Sequence, residues 1–338
     1  VIVRAPGKLV LSGAYAVLEG APALVAAVDR YVIADPARPA ERVTEEVQAA
    51  IDAGALDRAV WFDASALRST EPAAAGGAPA ALAGASRKLG LGSSAAILVA
   101  TLAARAAATA AGAAATAAGA AAGAASRRAA PAWDARAIFL RALAAHRRAQ
   151  GGGSGIDVAA SVHGGVVCCR LGPGGELAVA PHALPGGLAI EVLASAQAAR
   201  TSAMLERVRA LAAREPEAHA ALLGAAAAGA RAAVLATDVR AFLAALDGQV
   251  DALAELGDRA GAPIVTPELR RLRRAAAAEG AVLAPSGAGG GDVALFVGGA
   301  PPSAAFLAAA RASGMEREPM SLGAPGVHVL DADRPPHT

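Results

Sequence analysis

A glycine-rich turn that runs straight into an apolar helix limits most strongly what this chain can fold into. Lys88-Leu89-Gly90-Leu91-Gly92-Ser93-Ser94-Ala95-Ala96 is followed by a small, apolar run to Leu102. Glycine lets successive backbone N–H groups turn toward one point, and a helix N-terminus adds its own unpaired donors. Such a junction is an anion site. Two more glycine-rich segments carry polar groups: Ala5-Pro6-Gly7-Lys8-Leu9-Val10-Leu11-Ser12-Gly13 near the start, and Ser286-Gly287-Ala288-Gly289-Gly290-Gly291-Asp292 near the end. Together they predict a chain that binds a nucleoside triphosphate and transfers its phosphate.

The core must be built without large rings. Apolar residues make up 55% of the 338 positions, but aromatics only 3%. The length suits two domains, and Pro173 to Gly187, rich in proline and glycine, is the expected boundary region. The division expected is 1–180 for an ATP-binding, catalytic half and 181–338 for a second half. A net charge of +2 gives no nucleic-acid footprint. The adjacent Cys168 and Cys169 suit neither a structural disulfide nor a zinc site. A cytoplasmic protein is expected, and Val1 reads as a strand start. The uncharged run Ala106 to Ser126 has no Leu, Ile, Val or Phe, so membrane insertion is not expected.

Strands are expected at Val1–Ala5, leading into Pro6-Gly7, at Val60–Phe62 and at Val166–Arg170, while Ala23–Ile33 is a second apolar run carrying Asp29 and Arg30. A helix should begin at Asp134 and end at the Gly151–Gly153 run. The second half should alternate strands at 188–193, 281–284, 293–297 and 327–330 with helices at 201–214, 237–257, 267–280 and 303–313. That pattern fits an α+β sandwich.

The chain is rich in arginine and uses lysine only at Lys8 and Lys88, both in glycine-rich segments. No Walker loop, kinase catalytic loop or serine-hydrolase elbow is present. Ser93 and Ser94 fall where hydroxyls cap a helix, touch phosphate oxygens or ligate Mg²⁺. Two readings are open for Asp157: a carboxylate base near an acceptor hydroxyl, with Lys8 as the cation, or the N-cap of the small-residue run after it. Asp292 either caps the next element or shapes its turn. His146, seven residues after Phe139, reads as an ordinary core or surface histidine.

In order and approximate spacing, the three segments resemble the motifs of the GHMP kinases, named for galactokinase, homoserine kinase, mevalonate kinase and phosphomevalonate kinase. The likeness spans the whole chain. It is greatest to the phosphomevalonate kinase branch, through Ser12 to Gly20, Asp29-Arg30-Tyr31-Val32, Ala145 to Gly151 and Gly153 to Ala160. The resemblance implies an N-terminal domain like ribosomal protein S5 domain 2 and a ferredoxin-like C-terminal domain. It implies ATP and Mg²⁺ as cofactors, Lys8 and Asp157 as catalytic residues and Ser94 as the metal ligand. ATP would lie on Lys88, Gly90, Leu91, Gly92, Ser93, Ser94 and Ala95. The acceptor would lie on Ser12, Tyr15, Ser154, Arg200, Thr201, Gly289 and Gly290. A small phosphate or alcohol, 5-phosphomevalonate foremost, is the implied acceptor, with no nucleic-acid or membrane partner; a non-catalytic sensor is the alternative of a different class. Departures from the family pattern are Ala14 in place of a common Glu, His146 in place of the glutamate that ligates magnesium in mevalonate kinases, and Gly152 in place of a lysine.

Overall fold

The computed structural model describes residues 1–69, 87–118, 133–195 and 201–330. In chain order the first half contains β1 (Val3–Ser12), β2 (Pro22–Asp35), α1 (Glu45–Asp52), β3 (Trp61–Asp63), β4 (Arg68–Ser69), β5 (Arg87–Lys88), α2 (Ser93–Ala118), α3 (Ala135–Gln150), α4 (Ile156–His163), β6 (Val166–Leu171) and β7 (Leu177–Pro181). The second half contains β8 (Ala189–Ser195), α5 (Thr201–Arg214), α6 (Pro216–Leu235), α7 (Val239–Ala260), α8 (Pro267–Ala278), β9 (Val282–Pro285), β10 (Val293–Gly298), α9 (Ala304–Ala312), β11 (Met315–Arg317) and β12 (His328–Val329).

Two antiparallel sheets organise most of these elements, and β4 and β5 form a separate two-stranded pair. The first has the order β12-β1-β2-β6-β7, with β3 also on β2; the second has the order β11-β8-β10-β9. Helices α2 and α4 pack on β1 and β2, while α6 also reaches β2. That explains why Ala23 to Val28 are all fully buried rather than alternating. A strand covered on both faces needs small or branched side chains throughout. The second sheet takes α7, α8 and α9 against its strands. By length and composition α2 and α6 could each cross a bilayer. In the structure, however, the apolar residues from Ala95 to Ala104 of α2 are spent on the protein core.

Several elements, among them α1, α6 and β7, fall where the sequence predicts no regular structure. Helix α1 follows directly on the polar connection, with Thr44 Oγ1 accepting from Val47 N at 3.3 Å. Helix α6 opens with Pro216 in its first turn and runs through an alanine-rich stretch. Strand β7 lies inside the segment read as a boundary and pairs with β6. The final strand also returns to the first sheet, since β12 pairs with β1. Arg4 Nε donates to His328 Nε2 at 2.6 Å across that pairing.

The first glycine segment corrects an expectation. The strand does not end at Pro6-Gly7 but continues to Ser12, with a register shift against β2 between Pro6 and Lys8. Proline is tolerated where a bulge interrupts the ladder. A side-chain carbon on Gly7 would sit 2.9 Å from both Leu67 and the Leu91 carbonyl oxygen, so the tight approach needs glycine. The segment therefore contributes a side chain, Lys8, rather than a cradle of amides.

Two buried polar contacts tie the halves together behind the site. Ser286 Oγ accepts from Val10 N at 3.0 Å. Gln249, buried on α7, accepts from Gly13 N and donates to the Ala226 carbonyl, both at 3.1 Å. Gln249→Ala strands both partners, and a buried unpaired polar group costs about 1–3 kcal/mol. We expect a loss of about 2 kcal/mol or more in unfolding free energy, read by urea denaturation. A change within about 0.5 kcal/mol would mean that water replaces both bonds.

Candidate active site

The main cavity, about 430 Å³, opens between the end of α3, the N-terminus of α2, β1 and the third glycine segment. The glycine turn at its floor behaves as the sequence suggests. Gly90 and Gly92 have φ of +70° and +72°, a region that side chains with a Cβ avoid. The turn delivers Ser93 and Ser94 into the first turn of α2. Both serines and Lys88 line the cavity, as do Gly90, Leu91 and Gly92. Ala95 is fully buried and packs behind the turn.

Lys8 reaches in from β1. Its backbone N–H donates to the Leu91 carbonyl at 2.9 Å, which locks strand and turn together. Its Nζ donates to the Gly90 carbonyl at 3.1 Å. Burial pushes its pKa down, opposed by the charges of Asp157 and Asp292. A side-chain carbon on Gly92 would lie 3.0 Å from Lys8 Cγ and 3.1 Å from Cε. Gly92 thus leaves room for the lysine as well as for a ligand.

Asp157 sits in the first turn of α4, whose N-cap is Gly155 at φ +77°. It is not the cap. Oδ1 accepts from Val158 N at 3.0 Å, and Oδ2 lies 3.2 Å from His146 Nε2. Burial alone would raise the Asp157 pKa. The His146 charge and contact, Lys8 and the Val158 amide outweigh that and bring it down to about 2. His146 is only 2% exposed. Burial disfavours its charged form, but Asp157 and then Glu46 overcome this and raise its pKa. It is therefore neither an ordinary core nor a surface histidine.

The remaining candidates divide. Tyr15, at a φ of +60° that is uncommon outside glycine, lines the cavity, and its hydroxyl donates to the Ala288 carbonyl at 2.6 Å. Ser154 also lines it. Ser12 is buried, and its Oγ has no hydrogen-bond partner in the structure, but it is not in the cavity wall. Gly289 and Gly290 face Ile264 instead. A Cβ on Gly289 would meet its carbonyl oxygen at 2.2 Å, and Gly290 N donates to that oxygen at 3.2 Å. From that segment Gly287, Ala288 and Asp292 line the cavity. Thr201 begins α5, and Arg200 lies outside the described residues. Arg147 is spent elsewhere, donating to the carbonyls of Gly153, Ser154 and Gly175. Asp29 and Arg30 bind Ser321, Glu318 and Pro319, away from the cavity.

Gln150, inside the Ala145 to Gly151 likeness, lines the cavity, and no sequence signal marks Leu205 or a neighbouring cavity. That second cavity, about 370 Å³, shares Lys88, Ser93 and Ser94 with the first. Arg42 and Phe62 line it, with the guanidinium 4.6 Å above the ring. No motif marks these residues, because β3 and α1 bring them together only in three dimensions.

No family model matches the sequence, and no curated protein matches it. Solved structures do match the fold. The Lin0012 protein from Listeria innocua is 19% identical, with 98% of this chain and 99% of that one covered and a TM-score of 0.72. Streptococcus pneumoniae phosphomevalonate kinase, solved with phosphomevalonate and AMPPNP, is 17% identical over 95% and 99%, with a TM-score of 0.67. The chain has the GHMP kinase fold. L. major mevalonate kinase, solved with R-mevalonate, is 18% identical over 93% and 94%, with a TM-score of 0.60. The GHMP fold is thus shared over nearly the full length at identities that establish architecture alone.

Proposed function

We propose that this chain is an ATP-dependent phosphotransferase acting on a small phosphorylated acceptor, with 5-phosphomevalonate the foremost candidate. The observation that carries the proposal is the meeting, in one cavity, of Lys8, Asp157 and a positive-φ glycine turn at a helix N-terminus. Anion-binding amides and a cation are the parts that phosphoryl transfer needs, together with a carboxylate facing the acceptor. The phosphates belong at the α2 N-terminus, and the nucleoside then extends across Ser93 and Ser94 toward Arg42 and Phe62.

Magnesium fits this setting as an ion carried largely by phosphate and water. The cavity offers the Ser94 hydroxyl, while no cluster of three acidic, histidine or cysteine side chains exists among the described residues. Mg²⁺ commonly takes one or two protein oxygens and draws the rest from substrate phosphates and water. Bound there, it would neutralise charge on the transferring group.

In the reaction proposed, a phosphate oxygen of the acceptor bonds to the γ-phosphorus of ATP as the bond to the β-phosphate oxygen breaks, giving ADP and 5-diphosphomevalonate. Lys8 holds charge on the moving group. The acceptor oxygen is already largely ionised near neutral pH. Asp157, with its pKa near 2, is accordingly a positioning and charge-balancing carboxylate more than a proton acceptor.

Acceptor choice is tested by steady-state kinetics with mevalonate, phosphomevalonate, homoserine and galactose side by side. Phosphomevalonate should show the highest kcat/KM. Preference for mevalonate would move the acceptor to an alcohol and return Asp157 to the role of base.

A further inference from the structure

Lys8 and Asp157 share a cavity and attract each other, yet they form no ion pair. The Lys8 ammonium bonds to the Gly90 carbonyl, and no Asp157 oxygen lies within 4.0 Å of it. Both oxygens of Asp157 already have neighbours: Oδ1 accepts from the Val158 amide, and Oδ2 lies at ion-pair distance, 3.2 Å, from His146 Nε2, without hydrogen-bond geometry. His146 is itself enclosed on the buried face of α3, so it cannot swing away. Glu46, buried on α1, lies close enough to act on it electrostatically. Gln150 Nε2 in turn holds Glu46 Oε1 at 3.4 Å.

We propose that His146 is a positioning residue that keeps Asp157 and Lys8 apart: by gripping Oδ2 it stops the carboxylate collapsing onto the ammonium, and so leaves Lys8 available to the transferring phosphate. The proposal rests on the phosphotransferase reading for its catalytic consequence but not for its geometry. An imidazolium suits the task because it is rigid and holds its charge at a fixed point, whereas a second lysine would compete for the same space. The groups that face the pair are few. Lys8 from β1 acts on Asp157, whose charge in turn raises the Cys169 thiol on β6, while Glu46 from α1 and Arg147 from α3 act on His146.

Two measurements separate the proposal from the function it serves. The first needs no activity. Histidine-selective NMR titration, with the His146 signal assigned by its loss in His146→Gln, should show imidazolium persisting above the ordinary histidine midpoint of about 6.5. In folded Asp157→Asn the midpoint should drop below that value, because burial and Arg147 then outweigh the charge of Glu46. A His146 midpoint that Asp157→Asn does not move would overturn the proposal even if the enzyme were fully active.

The second measurement is kinetic. His146→Leu should lower kcat by about tenfold to a hundredfold, the scale of a misplaced catalytic group, with KM for MgATP within about twofold. His146→Gln, which keeps a neutral N–H donor, should recover a good part of that loss. Equal losses in the two variants, both folded by circular dichroism, would show that bulk rather than the grip on Asp157 is what matters. No phosphotransferase activity in the wild type would remove the functional reading and leave the NMR result to stand on its own.

Discussion

Removing either charge at the centre of the cavity should cost about a hundredfold or more in kcat. Lys8→Ala deletes the one ammonium that reaches the Gly90 turn from β1. Asp157→Asn keeps the shape but removes the charge that faces both Lys8 and His146. Positioned cations and carboxylates typically supply about two to four powers of ten. If the two act as one unit, the double variant should be little worse than either single one. Full multiplication of the losses would show separate roles. The Asp157 effect also has a pH signature in stability. Its folded pKa lies below the ordinary carboxylate value, so its contribution is present above about pH 4 and is lost as pH falls toward 2. Asp157→Asn should therefore flatten the acid limb of the stability curve, measured as Tm between pH 6 and pH 3.

Gly92→Val should be nearly as damaging, for a reason that the sequence alone does not supply. The expected obstacle is to phosphate approaching the backbone. The structure adds a nearer one, since the new Cβ would press on Lys8 Cγ and Cε and stand 3.5 Å from Asp157 Cβ. The residue also sits at φ +72°, where a β-branched side chain is strained by roughly 1–3 kcal/mol. A loss of at least about tenfold in kcat/KM for MgATP is expected, since 1.4 kcal/mol is a factor of ten, with the fold retained by circular dichroism. Unchanged MgATP kinetics in a folded variant would remove this turn from the site.

The elements with a strong local signal were legible in the chain itself. Helix α3 shows its Asp134 cap, its apolar periodicity and its terminal glycine, and the structure has each of them. The β9 and β10 strands flank their glycine loop as their composition suggests. The glycine turn before α2 could be read because backbone conformation and residue type are tightly coupled there. Other features were hidden because they depend on what comes to meet them. Pro6-Gly7 looks like a break, but β2 and the Leu91 carbonyl hold it as a bulge in a continuing strand. Gly289 and Gly290 look like an anion loop, but Ile264 occupies the side toward which they turn. Arg147 carries no local signal for its partners, yet three carbonyls take its guanidinium. His146 carries no motif of its own in the physics of a single helix. Its partner lies eleven positions on, across a turn, and only the packing of α3 on α4 brings the imidazole to Asp157.

The central claim is that this cavity moves a phosphoryl group from ATP to a small acceptor. Phosphorus NMR of the purified protein with MgATP and 5-phosphomevalonate tests it most directly, because it follows every phosphorus atom at once. The account predicts that the acceptor's monophosphate signal is replaced by a diphosphate pair as ATP becomes ADP in equal amount, and that Lys8→Ala suppresses both changes together. ATP left intact with every acceptor of the panel, or lost only to inorganic phosphate, would contradict it.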